Sequence, residues 1–147
     1  MKRTFPLSLI TLVCAASAFA DAKFEAVVAK DEDTKPTTTF AADIPQVMAF
    51  FHSTGTSKGD KIRGVWIAED VGNAAPANTK IDEATITMDK DDASGGFKLS
   101  APTKGWPVGK YKVEIYDGDG LATTVKFTIK AGKSEKKDAA DDESSED

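Results

Sequence analysis

The residues that could do chemistry in this sequence are few, and their spacing argues against most reactions. His52 is the sole histidine, and histidine is the side chain whose ordinary titration falls near neutral pH. Its neighbour Ser53 cannot serve as a nucleophile with His52 as base, because adjacent side chains on a strand point to opposite faces. The one cysteine is Cys14, in the apolar N-terminal stretch, so the clusters of His and Cys that hold zinc or copper are lacking. Asp89, Asp91 and Asp92 precede Ser94-Gly95-Gly96, and Asp117 and Asp119 flank Gly118. Either group offers oxygen ligands of the kind calcium takes. Neither has the spacing of a helix-loop-helix calcium loop, and aspartate is common in turns because it caps them. A carboxylate-based hydrolase would need two such groups about 5 to 10 Å apart across a cleft, and nothing in the pattern implies a cleft. The glycines at 55, 59, 95 and 96 match no phosphate-binding motif. Trp106, between Gly105 and Pro107, is placed either to stack on a sugar ring or to close one end of a core. The expectation is a protein that is not an enzyme and carries no cofactor.

The N-terminus supplies an address. Lys2 and Arg3 precede an apolar run from Phe5 to Val13, and Ala18-Phe19-Ala20 gives a small-residue ending, the three-part layout of a secretory signal peptide cut between Ala20 and Asp21. The apolar run is interrupted by Pro6, Ser8, Thr11 and Ser17 and is shorter than the roughly 18 residues a membrane anchor needs. Residues 1–20 are therefore expected to be removed, with no membrane insertion afterwards and a periplasmic or secreted destination. With Lys2 and Arg3 gone, the net charge of −5 becomes −7. That acidity, with no basic cluster along the chain, argues against nucleic acid as a partner.

Between the two ends the chain reads as short strands separated by turns. Phe24, Ala26 and Val28 alternate with other residues over 23–30. A short edge strand fits 37–40, and 46–54 and 61–69 carry apolar runs. Residues 70–80 read as a long loop. Strands follow over 83–88, 97–100, 111–117 and 121–130, the last with Leu121, Thr123, Val125, Phe127 and Ile129 on one face. Asp117-Gly118-Asp119-Gly120 between the final two strands is a tight hairpin turn. About seven strands in roughly 110 residues indicate a single all-β sandwich or barrel. The tail, residues 131–147, holds Asp138, Asp141, Asp142, Glu143, Glu146 and Asp147 and no large apolar side chain past Ala131. It is expected to be a disordered acidic extension.

Gly109-Lys110-Tyr111-Lys112-Val113 resembles the tyrosine corner of immunoglobulin-like domains. Leu99 to Tyr111, continuing through the hairpin to Ile129, resembles the closing half of bacterial extracytoplasmic immunoglobulin-like β-sandwich domains. The resemblance implies an immunoglobulin-like fold over 21–130, a Tyr111 hydroxyl bonded to nearby backbone, and Trp66 in the core. Antibody-type domains carry an inter-sheet cysteine pair, which this chain lacks. The resemblance says little about function.

A binding surface is expected where a strand carries apolar residues on its wet face. In 61–69, Trp66 shares a face with Ile62, Gly64 and Ala68, and Val65 and Ile67 share theirs with Arg63 and Glu69. Val65 and Ile67, with Tyr116 on a neighbouring strand, form the candidate strip, and Trp106 is a further candidate contact. Met48 and Phe50 join it only if their strand is the hairpin neighbour of 61–69. The expected function is a monomeric, non-catalytic binding or accessory module for a protein or glycan in the cell envelope. The alternative is a structural or envelope-stress protein with no discrete ligand.

Overall fold

A computed structural model describes residues 22–132; the expected signal peptide, 1–20, and the expected acidic tail beyond residue 132 lie outside the described residues. Among the described residues, eight strands form two facing sheets: β1 (Lys23–Ala29), β2 (Thr39–Ala41), β3 (Gln46–Thr54), β4 (Lys61–Asp70), β5 (Thr79–Thr87), β6 (Ser94–Ser100), β7 (Gly109–Asp117) and β8 (Gly120–Lys130). One sheet has the order β1-β3-β6 and the other β2-β8-β7-β4-β5. The protein is an all-β sandwich. Its pairings are antiparallel except β2 with β8.

Period-two alternation builds the layer between the sheets. Val28, Val47, Ala49, Phe51, Phe97 and Leu99 come from the smaller sheet, and Ile62, Trp66, Val113, Ile115, Phe127 and Ile129 from the larger. Phe127 is the hub of an aromatic cluster. It stacks on Tyr111 at 5.4 Å and meets the edges of Phe40 at 5.8 Å and Trp66 at 6.0 Å. Gly64 faces Phe97 across the sandwich, and a Cβ there would lie 2.7 Å from the Phe97 ring. The missing side chain is what lets the sheets approach at that point.

The expected strand over 83–88 is longer, starting at Thr79. It is an edge strand held by backbone pairing to β4, with a register shift opposite Trp66 and Ile67. The larger sheet extends past the three-stranded one on this side, so Ile86 is only half-buried and Ala84 is exposed. Burial alternation was the signal used in the sequence, and an overhanging edge does not carry it. A second correction concerns β8. The β7–β8 register shifts between Ile115, opposite Thr123, and Tyr116, opposite Leu121. This bulge reverses the phase of the strand. Val125, Phe127 and Ile129 face the core as expected, and Leu121 is 55% exposed. The hairpin is the expected two-residue turn, with Gly118 at φ +60°.

The Tyr111 hydroxyl donates to the Pro107 carbonyl oxygen at 2.5 Å, four residues back, and burial pushes its phenol up to about 12. Tyr111→Phe leaves a sheltered carbonyl without its donor and should cost about 1 kcal/mol or more. The raised pKa adds a pH signature. An unfolded phenol ionises near pH 10 and the folded one near 12, so the stabilisation is complete below about pH 10 and is lost as pH rises towards 12. Denaturant titrations at pH 8 and pH 11 should show wild type losing more stability than Tyr111→Phe. Equal losses would remove the assigned role.

Candidate functional site

The outer face of the larger sheet brings together three of the four residues singled out from sequence. Arg63 and Tyr116 are register partners, and Val65 pairs with Glu114 on β7 and Glu83 on β5. The expected open apolar strip is absent, however. Val65 is 7% and Ile67 9% exposed, because β4 is an interior strand. Each sits between longer side chains on β5 and β7: Val65 between Glu83 and Glu114, Ile67 between Lys80 and Lys112. Aliphatic stems of charged residues cover such positions while their heads stay in water. Tyr116 lies beneath the Arg63 guanidinium, whose carbon is 4.5 Å from the ring centre. Its hydroxyl donates to Glu114 at 3.3 Å. Val65→Glu with Ile67→Lys would therefore place charges at buried positions and test folding before it tested binding.

Trp106 is the fourth residue and lies elsewhere. It is 5% exposed, its Nε1 donates to the Ile44 carbonyl at 2.9 Å, and it meets Tyr111 edge-on at 6.0 Å. It closes the end of the core and offers no free face for a sugar ring. Met48 and Phe50 do not join the first face either, since β3 and β4 belong to opposite sheets.

What the outer face of the larger sheet does present is charge and hydroxyls. Alternation along β7 and β8 puts Lys110 and Lys112 beside Lys126, Thr128 and Lys130, with Lys112 directly opposite Lys126 and Lys110 opposite Thr128. A hollow of roughly 430 Å³ opens here, lined by Thr38, Thr39, Glu69, Lys110, Lys126 and Thr128 among others. The carboxylates of this face are already engaged. Glu69 accepts from Lys126 at 3.1 Å, Glu83 pairs with Lys80 at 3.1 Å and Arg63 at 3.6 Å, and Glu114 accepts from Tyr116. Among the described residues, Lys110, Lys112 and Lys130 form no ion pair. Sequence reasoning did not join Lys112, Lys126 and Lys130 into one face. The available signal was lysine at period two in both arms of one hairpin.

The opposite face carries a second group. Glu25, His52 and Ser94 stand in one row across β1, β3 and β6, and His52 Nδ1 lies 2.9 Å from the Ser94 hydroxyl. Beside the row is a hollow of roughly 350 Å³ lined by Val27, Phe50, Phe51 and Gly95. Ser53 does point the other way, into the core, bonded to Thr56 at 2.7 Å and to the Ala93 carbonyl at 2.8 Å. An imidazole–hydroxyl bond open to water lacks the low-dielectric enclosure that makes such pairs catalytically effective.

The aspartate loops have structural employment. Asp91 accepts from the Lys58 amide at 2.8 Å and Asp92 from the Gly55 amide at 2.6 Å, tying the 55–60 and 88–93 loops together. At the hairpin, burial and then the neighbouring Asp60 raise the Asp117 carboxyl above its ordinary value. Among the described residues, no three His, Cys, Asp or Glu side chains converge as metal ligands.

No protein-family model and no curated protein matches the chain. Among solved structures it is similar to an immunoglobulin-like protein from Pseudomonas aeruginosa, at 15% identity and a TM-score of 0.49, over 77% of this chain and 99% of that one. It is also similar to part of a β-glucosidase from Listeria innocua, at 7% identity and 0.47, over 76% of this chain and 16% of that one. Part of an alkylpurine DNA glycosylase from Pseudomonas fluorescens is similar at 11% identity and 0.46, over 75% of this chain and 30% of that one. The chain thus spans under a third of each enzyme. Likenesses of this size carry no argument about activity or partner. Its own sheet topology defines the class, an all-β sandwich, and its side chains define a basic, hydroxyl-lined face on the larger sheet.

Proposed function

We propose that this chain is an exported, non-catalytic binding module of immunoglobulin-like type, which recognises a protein or glycan partner in the cell envelope through the outer face of its larger sheet. The observation that carries this reading is the hollow lined by Lys110, Lys126 and Thr128 with Tyr111 and Phe127, where cationic and hydroxyl groups converge on paired strands. Sites on strands hold their geometry better than sites on loops. The separation of β1, β3 and β6 from β4, β7 and β8 and the Tyr111 tie-back support the immunoglobulin-like part. Export rests on the N-terminal sequence alone.

Chemical crosslinking on cells that make the protein tests this, with wild type compared with Lys110→Glu. A stoichiometric partner held by wild type and lost from the variant is the expected result. No saturable partner would favour a structural role without a ligand. Ester turnover that disappears in Ser94→Ala would replace the binding reading with catalysis at His52 and Ser94.

A further inference from the structure

We infer that the partner of this face is an acidic saccharide chain, one bearing carboxylate or sulfate groups, held by Lys110, Lys112 and Lys126 with the hydroxyls of Thr39 and Thr128. The inference rests on the binding-module reading and adds the ligand's chemistry. Lys112 stands directly opposite Lys126 on adjacent strands, an arrangement that costs stability because like charges face each other. Glu69 relieves Lys126 alone, at 3.1 Å. A bound anion between the two ammonium groups would relieve both.

The setting is specific to one face. The protein is acidic overall, at net −5, yet β7 and β8 display Lys110, Lys112, Lys126 and Lys130 on their outer side, with Glu114 among them and Glu69 and Asp70 beside them on β4. Glu114 accepts from Tyr116. Hydroxyls among the cations favour a saccharide over other polyanions. Thr38, Thr39 and Thr128 line the hollow with the lysines, and neutral hydroxyl partners suit a ligand that alternates charged groups with hydroxyls. Single-stranded nucleic acid is bound with exposed aromatic platforms, whereas the aromatic ring on this face, Tyr116, lies under Arg63. A membrane surface calls for apolar side chains that insert beside the cations, and Val65 and Ile67 are covered.

The test titrates the whole exported protein with three probes of matched length: polygalacturonate, dextran sulfate and neutral dextran. Wild type should bind at least one charged probe and not the neutral one, and which charged probe binds separates carboxylate from sulfate. Lys112→Glu with Lys126→Glu should weaken binding about tenfold or more and flatten its salt dependence. Lys23→Glu with Lys98→Glu makes the same charge change on the opposite sheet and should stay within about twofold. Lys110→Gln with Lys112→Gln serves as a milder pair if the double reversal fails to fold. Equal weakening by the two reversed pairs would overturn the inference, as would binding of neutral dextran, no binding of either acid, or tighter binding of single-stranded DNA or anionic vesicles. Capture of a neutral glycan or a protein by this same face would overturn it while leaving the binding-module reading intact.

Discussion

Phe127→Ala is expected to destabilise the fold by about 3–5 kcal/mol, within the range for removing a buried aromatic ring. Phe127 is 2% exposed and supports three aromatic neighbours at once, Phe40, Trp66 and Tyr111. Each well-oriented ring pair contributes about 0.5–1.5 kcal/mol beyond its buried area. The cavity cannot close easily, because Trp66 and Tyr111 are fixed on the paired strands β4 and β7. A domain of ordinary stability, about 5–15 kcal/mol, would lose a large share of it. Chemical denaturation should show the midpoint falling with little change in slope. A loss below about 1 kcal/mol would mean that the aromatic cluster is not the centre of the core.

Gly109→Ala should be comparably damaging, by about 3 kcal/mol or more, for a different reason. A Cβ at Gly109 would overlap the Asp70 carbonyl oxygen and lie 2.8 Å from the Val71 Cα. These are backbone atoms that cannot rotate away, at the place where the β4–β7 register shifts between Ala68 and Asp70. Relief requires the start of β7 to move off the end of β4, which carries Lys110 and Tyr111 with it. Overpacking of this kind ordinarily costs 1–3 kcal/mol, and a backbone collision belongs at or above the upper end. Gly59→Ala is a useful comparison. Its position has open space around it and a φ of +93°, so it adds strain without collision and should cost less. Equal stability of Gly109→Ala and wild type would refute the close approach of β4 and β7 at this point.

Much of the fold was legible in the alternation of side chains. Val47, Ala49 and Phe51 on β3, and Tyr111, Val113 and Ile115 on β7, face inward as their spacing implied. Trp66 stands in the core at 1% exposed. Where the pattern failed, the cause was a feature that alternation cannot express. The bulge near Ala122 falls among small residues, Ala122, Thr123 and Thr124, which mark no face, so Leu121 was assigned to the wrong side. β5 is the edge strand of the larger sheet, and Ile86 is its residue that packs against the core while Ala84 stays exposed.

The site was harder to read than the fold. Val65 and Ile67 were correctly placed on the outer side, but their cover comes from Lys80, Glu83, Lys112 and Glu114 on two neighbouring strands, one of them reached only after the long 70–80 segment. Net acidity hid the basic face, since Lys112 and Lys126 meet only when the hairpin register is known. His52 showed the same limit: the adjacent Ser53 turns inward, and the serine that meets its ring is Ser94, 42 residues away.

The most direct measurement for the binding face is a nuclear magnetic resonance titration of isotope-labelled exported protein with oligogalacturonate and with a sulfated oligosaccharide. Amide shifts are predicted to move around Thr39, Lys110, Lys112, Lys126 and Thr128, and to stay still around Val27, Phe50, His52 and Ser94. Shifts confined to the latter group would contradict recognition through the larger sheet, and none with either ligand would contradict an acidic saccharide as its partner.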